Sequence, residues 1–210
     1  MRVTSRAPIR TLALALNAPQ LGAPLAPPAP SGAGPAQVLT EILMDMETLE
    51  DLYVDELKDL WSAEKQILQA LPRMIKAATA RELKQGFSRH AKQTREHVRR
   101  LERIFKSLDK SPRGKKCVGM EGLLEEGSEL IKERPDPDVL DAGLISAAQH
   151  VEHYEMAGYG TVRTWAKLLG HPDHARTLQQ TLDEEGDTDK ALTKLAEAIN
   201  VAAESQDDDA

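Results

Sequence analysis

Apolar residues recur at spacings of three and four along most of the chain from residue 46 onward. A repeat near 3.6 residues places such side chains on one face of an α-helix, and no other feature restricts the possible fold as strongly. The first such segment, about residues 46–79, contains Pro72, which lacks a backbone donor, so we expect a kink or a local break there. Its apolar face carries Leu49, Leu52, Tyr53, Leu57, Leu60, Ile67, Leu68, Leu71 and Ile75.

The same repeat predicts three further long helices and one short helix. Asp136 followed by Pro137 is a favourable N-cap and first-turn pair, and Gly170 is suited to end a helix. The predicted segments are a helix from about residue 83 to 108, a short helix over 120–133, a helix over 137–169 and a helix from 171 to about 199. The short helix falls in the long crossover between the second and third long helices. This order predicts an all-α, antiparallel four-helix bundle of the ferritin-like class.

We expect the chain to divide into three parts. Residues 1–45 are predicted to be a disordered Ala/Pro-rich extension, residues 46–200 the ferritin-like four-helix bundle, and residues 201–210 an acidic tail. The extension contains three arginines and the short apolar run TLALALNA, which faintly resembles a signal peptide. Its Ala/Pro composition favours disorder instead, and Met44 or Met46 would open the compact domain directly.

The acidic balance of the chain argues against two classes of partner. A formal net charge of −7 and a pI near 5.4 disfavour broad electrostatic attachment to nucleic acid or to an anionic membrane surface. No apolar run approaches the roughly 18 residues that a transmembrane helix needs. The single cysteine, Cys117, excludes an intrachain disulfide, and we interpret it as a structural thiol rather than a redox thiol. We therefore expect a cytoplasmic protein with no nucleic-acid or membrane partner.

Four glutamates share the helical phase of the apolar faces. Glu64 lies on the first long helix, Glu152 and Glu155 on the third, and Glu185 on the fourth. An unpaired buried carboxylate carries a desolvation cost of several kcal/mol, which a bound metal pair would offset. Carboxylates with imidazole are suitable ligands for iron or manganese, so the sequence predicts a dinuclear site. The alternative is a partly solvated seam in which these glutamates pair with His and Lys across helices.

The second long helix offers less certain ligands. His97 is the best candidate there, with Gln93 and His90 behind it on the same face, while Glu96 falls on the solvent side. The interval from Glu64 to His97 is 33 residues, the same as the interval from Glu152 to Glu185. Equal intervals are expected if two helical hairpins are related by a pseudo-twofold axis. The predicted metal ligands are Glu64, Gln93, His97, Glu152, Glu155 and Glu185.

Four stretches resemble a known family. The runs TLEDLYVDELKDLWSAEKQILQALPRM, RGKKCVGMEGLLEEG, AGLISAAQHVEHYEMAGYGT and TLDEEGDTDKALTKLAE are similar to the ferritin-like bacterial stress-response proteins typified by YciE and YciF. The resemblance implies a rubrerythrin- or ferritin-related bundle, usually dimeric, with a dinuclear metal site and no firmly assigned reaction. It also implies that the family's glutamates fall on Glu64, Glu152, Glu155 and the pair Glu184–Glu185. Gln93 stands where the family usually has glutamate, between matching His90 and Thr94.

Two functions remain open at this point. One is a non-haem dinuclear iron or manganese oxidoreductase that acts on peroxide, dioxygen or Fe(II), with Tyr154 or Tyr159 close to the metals. Since the chain has one cysteine, the electron donor would be another protein. The other is a non-enzymatic helical scaffold that forms a homodimer and holds no metal. Protection of DNA fits the acidic charge poorly.

Overall fold

The computed structural model describes residues 46–205, and this part of the chain is helical without strands. The predicted extension over residues 1–45 and the last five residues of the predicted acidic tail lie outside the described residues. The all-α prediction is therefore confirmed for the described part. The helices are α1 (Leu49–Ala77), α2 (Arg81–Ser107), α3 (Val118–Glu133), α4 (Pro137–Leu168) and α5 (Pro172–Glu204).

Local sequence signals account for the helix ends. Thr48 forms a capping box with Asp51: the Asp51 amide donates to the Thr48 hydroxyl at 3.1 Å, and the Thr48 amide donates to the Asp51 carboxylate at 3.0 Å. Asp136 caps α4 by accepting from the Asp138 amide at 3.0 Å, as its position before Pro137 predicts. Gly170, with φ of +80°, separates α4 from α5 in a left-handed conformation that suits glycine.

Two boundaries differ from the sequence prediction. Helix α1 continues through Pro72 to Ala77, so the local break expected there does not occur. The neighbouring Ile67 and Leu71 are buried in the core, and this packing outweighs the loss of one backbone hydrogen bond. Helix α5 continues to Glu204, beyond the predicted end near residue 199, because the segment that follows is rich in strong helix formers.

The four long helices contact one another in a closed ring. Helix α1 packs against α2, α2 against α5, α5 against α4, and α4 against α1, while α3 lies against α1 and α4. A close approach between α1 and α4 depends on Gly158, because a Cβ atom there would lie 2.7 Å from Cδ2 of Leu60. Within the described residues, no helix is both long and apolar enough to cross a bilayer.

Asp141 on α4 sets the position of the α2 N-terminus. The carboxylate accepts hydrogen bonds from the Thr79 amide at 2.8 Å, the Thr79 hydroxyl at 2.7 Å and the Ala80 amide at 2.6 Å. Since Ala80 has no capping side chain, Asp141 supplies the cap from another helix. This contact ties the α1–α2 turn to α4 and orients α2 relative to the core.

The segment between α2 and α3 is anchored at Cys117. The Cys117 amide donates to the Ser62 hydroxyl at 2.9 Å, and its carbonyl accepts from Gln66 at 2.9 Å. Cys117 Sγ lies 3.0 Å from the Tyr154 hydroxyl, which donates to Asp59 at 2.8 Å. Burial raises the pKa of the Cys117 thiol, which favours the protonated, unreactive form. These contacts support the structural interpretation of Cys117.

Two apolar clusters form the core. The Phe87 cluster contains, among others, Ala63, Ile67, Leu71, Phe87, Leu144, Val151 and Leu192. The Phe105 cluster contains, among others, Tyr53, Leu57, Leu60, Leu101, Phe105, Tyr159, Val162 and Leu178. Each of the four long helices contributes to both clusters. The buried polar residues described next lie between them.

Candidate metal centre

A layer of charged and polar side chains separates the two apolar clusters. On α1, Glu64 lies between Leu60 of the Phe105 cluster and Ile67 of the Phe87 cluster, and it is fully buried. Helices α4 and α5 also cross from one cluster to the other near this level, and α2 does so after Ala91, so that His97 lies at the crossing and His90 lies at the edge of the Phe87 cluster. The buried acids and histidines of this layer are Glu64, His90, His97, Glu152, Glu155 and Glu185. We call these six residues the central cluster.

One part of the central cluster is formed by His90, Glu152, Glu155 and Glu185. One potential ligand atom from each of the four lies within 4.8 Å of the others, and all four residues are buried. His90 Nε2 is 3.5 Å from Oε1 of Glu152, and His90 Nδ1 is 3.9 Å from Oε2 of Glu185. These separations are suitable for a single ion surrounded by the four side chains.

A second group is formed by Glu64, His97 and Glu185. His97 Nδ1 lies 3.3 Å from Oε1 of Glu64 and 2.8 Å from Oε1 of Glu185. Glu185 therefore belongs to both groups, with Oε1 facing His97 and Oε2 facing His90. A carboxylate shared in this way has the geometry of a bridge between two neighbouring ions.

The central cluster contains many buried polar atoms without hydrogen-bond partners. Nine such atoms belong to its six residues: Glu64 Oε2, both nitrogens of His90, His97 Nδ1, Glu152 Oε2, both oxygens of Glu155 and both oxygens of Glu185. His97 Nδ1 and Glu185 Oε1 are close enough for an ion pair, but their orientation does not form a hydrogen bond. Each unpaired buried group costs about 1–3 kcal/mol, so a concentration of them requires compensation.

The donor set fits a pair of divalent metal ions. Four carboxylates would carry four negative charges, which two divalent cations neutralise, and the two imidazoles can bind as neutral ligands. Dinuclear carboxylate proteins of the ferritin-like class also use four glutamates and two histidines, arranged as Glu-x-x-His motifs on two helices. Here the distribution differs: α4 supplies Glu152 and Glu155, and α2 supplies His90 and His97.

A second layer of polar contacts holds His97 in place. His97 Nε2 lies 2.8 Å from Oε2 of Glu184, and Arg100 donates to both oxygens of Glu184 at 2.8 Å. Arg100 also donates to the Thr181 hydroxyl at 3.1 Å. Glu184 thereby directs Nε2 outward and leaves Nδ1 facing the cluster. Such outer contacts orient metal-binding histidines and increase their basicity.

Tyr159 contacts the cluster from the Phe105 side. Its hydroxyl donates a short hydrogen bond to Oε1 of Glu64, and its ring makes an edge contact with His97 at 6.4 Å between centroids. Burial and the charge of Glu64 raise the pKa of Tyr159 well above its ordinary value, so the hydroxyl remains a donor. Tyr154, the other tyrosine considered from the sequence, instead contacts Cys117 and Asp59.

Without metal, the acids of the cluster respond differently to burial. Burial, assisted by the charge of Glu185, raises the pKa of Glu152 well above its usual range. Burial and neighbouring carboxylates, Glu64 first, do the same to Glu155. For Glu185, burial disfavours the carboxylate, but the adjacent His97 imidazole at 2.8 Å and the charge of His90 outweigh burial and lower the pKa. Metal binding must therefore displace protons from some of these groups.

The two histidines also differ. Burial lowers the pKa of His90, so its imidazole is neutral and able to bind a metal. Burial also disfavours the His97 cation, but the adjacent carboxylates of Glu185 and Glu64, 2.8 and 3.3 Å from Nδ1, outweigh it and raise the pKa to about 11. In the metal-free protein, His97 is thus a cation between two carboxylates. A metal ion would take the place of its Nδ1 proton.

The structure brings five of the six sequence-predicted ligands into the central cluster, namely Glu64, His97, Glu152, Glu155 and Glu185. Gln93 is half-buried and lies with His90 and Glu152 in the wall of an adjoining cavity. Glu96 is at the surface and forms ion pairs with Arg99 and Arg103, in agreement with its predicted solvent side.

His90 is the cluster residue that sequence reasoning ranked too low. It lies three residues after Phe87 and one residue before Ala91, both of which belong to the Phe87 cluster. That apolar setting was the available signal, because a histidine amid core positions must be buried.

Over residues 46–205, these features define a helical protein whose core is interrupted by a buried Glu/His cluster suited to metal. The chain belongs to the family described as a domain of unknown function, DUF892, whose model matches residues 48–204. It is 42% identical over 165 residues to protein YciF of Escherichia coli K12, covering 78% of this chain and 99% of YciF. The resemblance to the YciF family is therefore confirmed.

Solved structures agree with this assignment. The crystal structure of the E. coli stress protein YciF matches with a TM-score of 0.71 and 42% identity, over 73% of this chain and 98% of that one. YcfI of Rhodopseudomonas palustris, described as "a putative structural protein", matches with a TM-score of 0.69 and 43% identity, over 71% and 96% of the two chains. A Xanthomonas campestris protein at 20% identity, with a TM-score of 0.62, shares the fold.

Proposed function

We propose that the central cluster binds two iron or manganese ions, and that the protein is a ferritin-like oxidoreductase acting on peroxide, dioxygen or Fe(II) under stress. The observation that carries this proposal is the convergence of nine buried ligand atoms, from six residues, that have no hydrogen-bond partner. A purely structural core would leave those groups at a large cost, since each needs a partner. The description of E. coli YciF as a stress protein supports the proposed role under stress.

The two ions have different proposed ligands. His90, Glu152 and Glu155 would hold one ion, Glu64 and His97 would hold the other, and Glu185, which belongs to both groups, would contribute to each. His90 takes the place on α2 that the sequence assigned to Gln93, because its two nitrogens are buried and unpaired whereas Gln93 is only half-buried.

The ring of four long helices with α3 in the α2–α4 connection is consistent with the ferritin-like bundle, which we propose as the fold class.

Such a metal pair would supply the one-electron redox chemistry that reduction of peroxide or dioxygen, or oxidation of Fe(II), requires. The residues of this chain have supporting tasks that the geometry defines. Glu184 and Arg100 hold the His97 ring so that Nδ1 faces the cluster, and the Tyr159 hydroxyl donates a hydrogen bond to Oε1 of Glu64. The apolar clusters cover the layer on two sides. The electron donor is proposed to be a separate protein.

Metal analysis of protein purified without chelator tests the proposal. We expect about two ions per wild-type chain and almost none in a Glu152→Ala/Glu185→Ala double variant. A Glu96→Ala/Glu197→Ala double variant removes two surface carboxylates and is the matched control, so it should retain the metal. Fewer than about one ion per wild-type chain, with the same content in the cluster variant, would contradict the proposal. Anaerobic addition of Fe(II) followed by air would then test for oxidation at the site by absorbance.

A non-enzymatic scaffold is the second candidate, and the description of the R. palustris relative favours it. A scaffold without metal would be unaffected by chelator, and losing buried charge would leave its melting temperature unchanged or higher. The metal-binding protein should instead melt at a lower temperature in chelator. The homodimer expected from the family resemblance fits both candidates and is tested by sedimentation velocity.

A further inference from the structure

A cavity of about 430 Å³ adjoins the central cluster. It lies between α2 and α5, and its inner wall is formed by α1, α3 and α4. Most of that wall is apolar, with Ile67, Leu71, Met74, Phe87, Leu192 and Leu195 among its residues. The volume is within the range of about 300–1,000 Å³ that is typical of small-molecule sites. The shape and lining therefore suit an organic ligand with an aliphatic body.

Polar groups occupy two distinct parts of the cavity lining. His90 and Glu152 are buried there, and both carry side-chain atoms without hydrogen-bond partners. Arg89, Lys92 and Asp187 are exposed and lie at the opening between α2 and α5. Asp187 is paired with Lys190 at 3.2 Å, so the charge left at the opening is positive. A positive opening attracts an anion and repels a free metal cation.

From these features we propose that the cavity binds a medium-chain aliphatic carboxylate. Its hydrocarbon chain lies along the apolar wall beside His90 and Glu152, and its carboxylate is held at the opening by Arg89 and Lys92. The placement of the chain next to metal ions rests on the proposed function. Binding of the acid in the cavity requires no metal.

Decanoate is a suitable probe, measured by isothermal titration calorimetry on the full-length protein as purified. We expect saturable binding at one site, with decyltrimethylammonium, which has the same chain length and the opposite charge, at least about tenfold weaker. An Arg89→Ala/Lys92→Ala variant should weaken decanoate binding about tenfold or more and remove the preference for the anion. Arg99→Ala/Arg103→Ala removes two other exposed cations of α2 and should have no such effect.

Gly86 provides a way to fill the cavity. A Cβ atom at this position would lie 3.9 Å from Leu195 and 4.0 Å from Arg89, which are ordinary van der Waals distances. The backbone at Gly86 therefore has room for the Cβ atom of a larger side chain. Gly86→Trp should therefore fold normally by circular dichroism, block decanoate binding and leave the metal content unchanged. Gly86→Ala should bind decanoate like the wild type, because one methyl group leaves the cavity open.

The same experiments separate this inference from the proposed function. A Glu155→Gln/Glu185→Gln variant should lose metal but still bind decanoate, since neither residue lines the cavity. Absence of saturable decanoate binding to folded wild-type protein would overturn the inference even if metal were bound. Equal binding by wild type and Gly86→Trp would do the same. A dimer that dissociates in Gly86→Trp, with no decanoate binding, would show that a second copy of the chain covers the groove instead.

Discussion

Replacement of Glu155 by methionine should change stability in opposite directions with and without metal. Glu155 is fully buried, and neither of its oxygens has a hydrogen-bond partner. In the metal-free protein, burial of this carboxyl without a hydrogen-bond partner lowers the free energy of unfolding. Methionine has a similar length and no such polar group, so it should remove this cost. With metal bound, the same carboxylate becomes a ligand, and its loss removes part of the binding energy.

The magnitudes follow from these two roles. Removing an unsatisfied buried polar group stabilises by about 1–3 kcal/mol, and for a domain of this size each kcal/mol shifts the melting temperature by about 2–4 °C. In chelator, Glu155→Met should therefore melt about 4–8 °C above wild type for a gain near 2 kcal/mol. Two ions at 100 times their dissociation constants would stabilise wild type by about 5 kcal/mol, at about 2.7 kcal/mol each. Wild type should then be the more stable protein when Fe(II) or Mn(II) is present.

Differential scanning calorimetry in EDTA and in anaerobic Fe(II) measures both differences. Glu197→Met is the control, because Glu197 is exposed on α5 and its replacement should alter stability by less than about 0.5 kcal/mol in either condition. A lower melting temperature for Glu155→Met in both conditions would refute the reasoning about the unpaired carboxylate. If metal raised the melting temperatures of wild type and Glu155→Met by the same amount, the assignment of Glu155 as a ligand would be wrong.

Other residues give further tests. Replacing Arg100 with alanine removes the partner that holds Glu184, so the affinity for Mn(II) should fall about 10- to 100-fold in a competition titration, while Arg99→Ala leaves it unchanged. Asp141→Ala removes the three hydrogen bonds at the α2 N-terminus and should lower the free energy of unfolding, measured in urea, by about 2–3 kcal/mol. A decrease of less than about 0.5 kcal/mol would contradict the capping role of Asp141. The pKa values of Glu152 and Glu155 are raised in the folded, metal-free protein, so both groups tend to keep their protons there. At a pH above the pKa of the unfolded chain, this difference lowers the free energy of unfolding, and the loss becomes smaller as the pH falls. The higher melting temperature of Glu155→Met in EDTA should therefore approach that of wild type as the pH is lowered from 7 toward 5. The metal affinity of wild type should fall over the same range. Calorimetry in buffers of different ionisation enthalpy should show that metal binding releases protons.

The sequence was sufficient to identify most of the central cluster. Glu64, Glu152, Glu155 and Glu185 each lie in phase with a long apolar face, and the phase of a regular helix depends only on spacing along the chain. The same reasoning placed Glu96 on the solvent side, where it pairs with Arg99 and Arg103. The helix boundaries predicted from the sequence were less accurate. At Pro72, core packing maintained the helix, and beyond residue 199, helix propensity extended α5.

Helix α2 shows the limit of this reasoning. His90, Gln93 and His97 occupy neighbouring positions on one broad face, and spacing alone does not decide which of them points to the centre. In the structure, His90 and His97 reach the centre and Gln93 faces the cavity. The choice depends on how α2 is rotated against α5, and contacts from distant parts of the chain, such as Asp141 at the α2 N-terminus and Arg100 with Glu184, set that rotation.

The amino-acid sequence alone determined the helices, their inner faces and the excess of acidic groups on those faces, because each of these follows from local spacing and composition. Only the tertiary structure decided that Glu185 faces both His90 and His97, that Glu184 and Arg100 orient His97, and that a cavity lies between α2 and α5. The physical reason is that these features depend on the rotation and axial offset of packed helices. Those quantities are set by contacts between residues far apart in the chain.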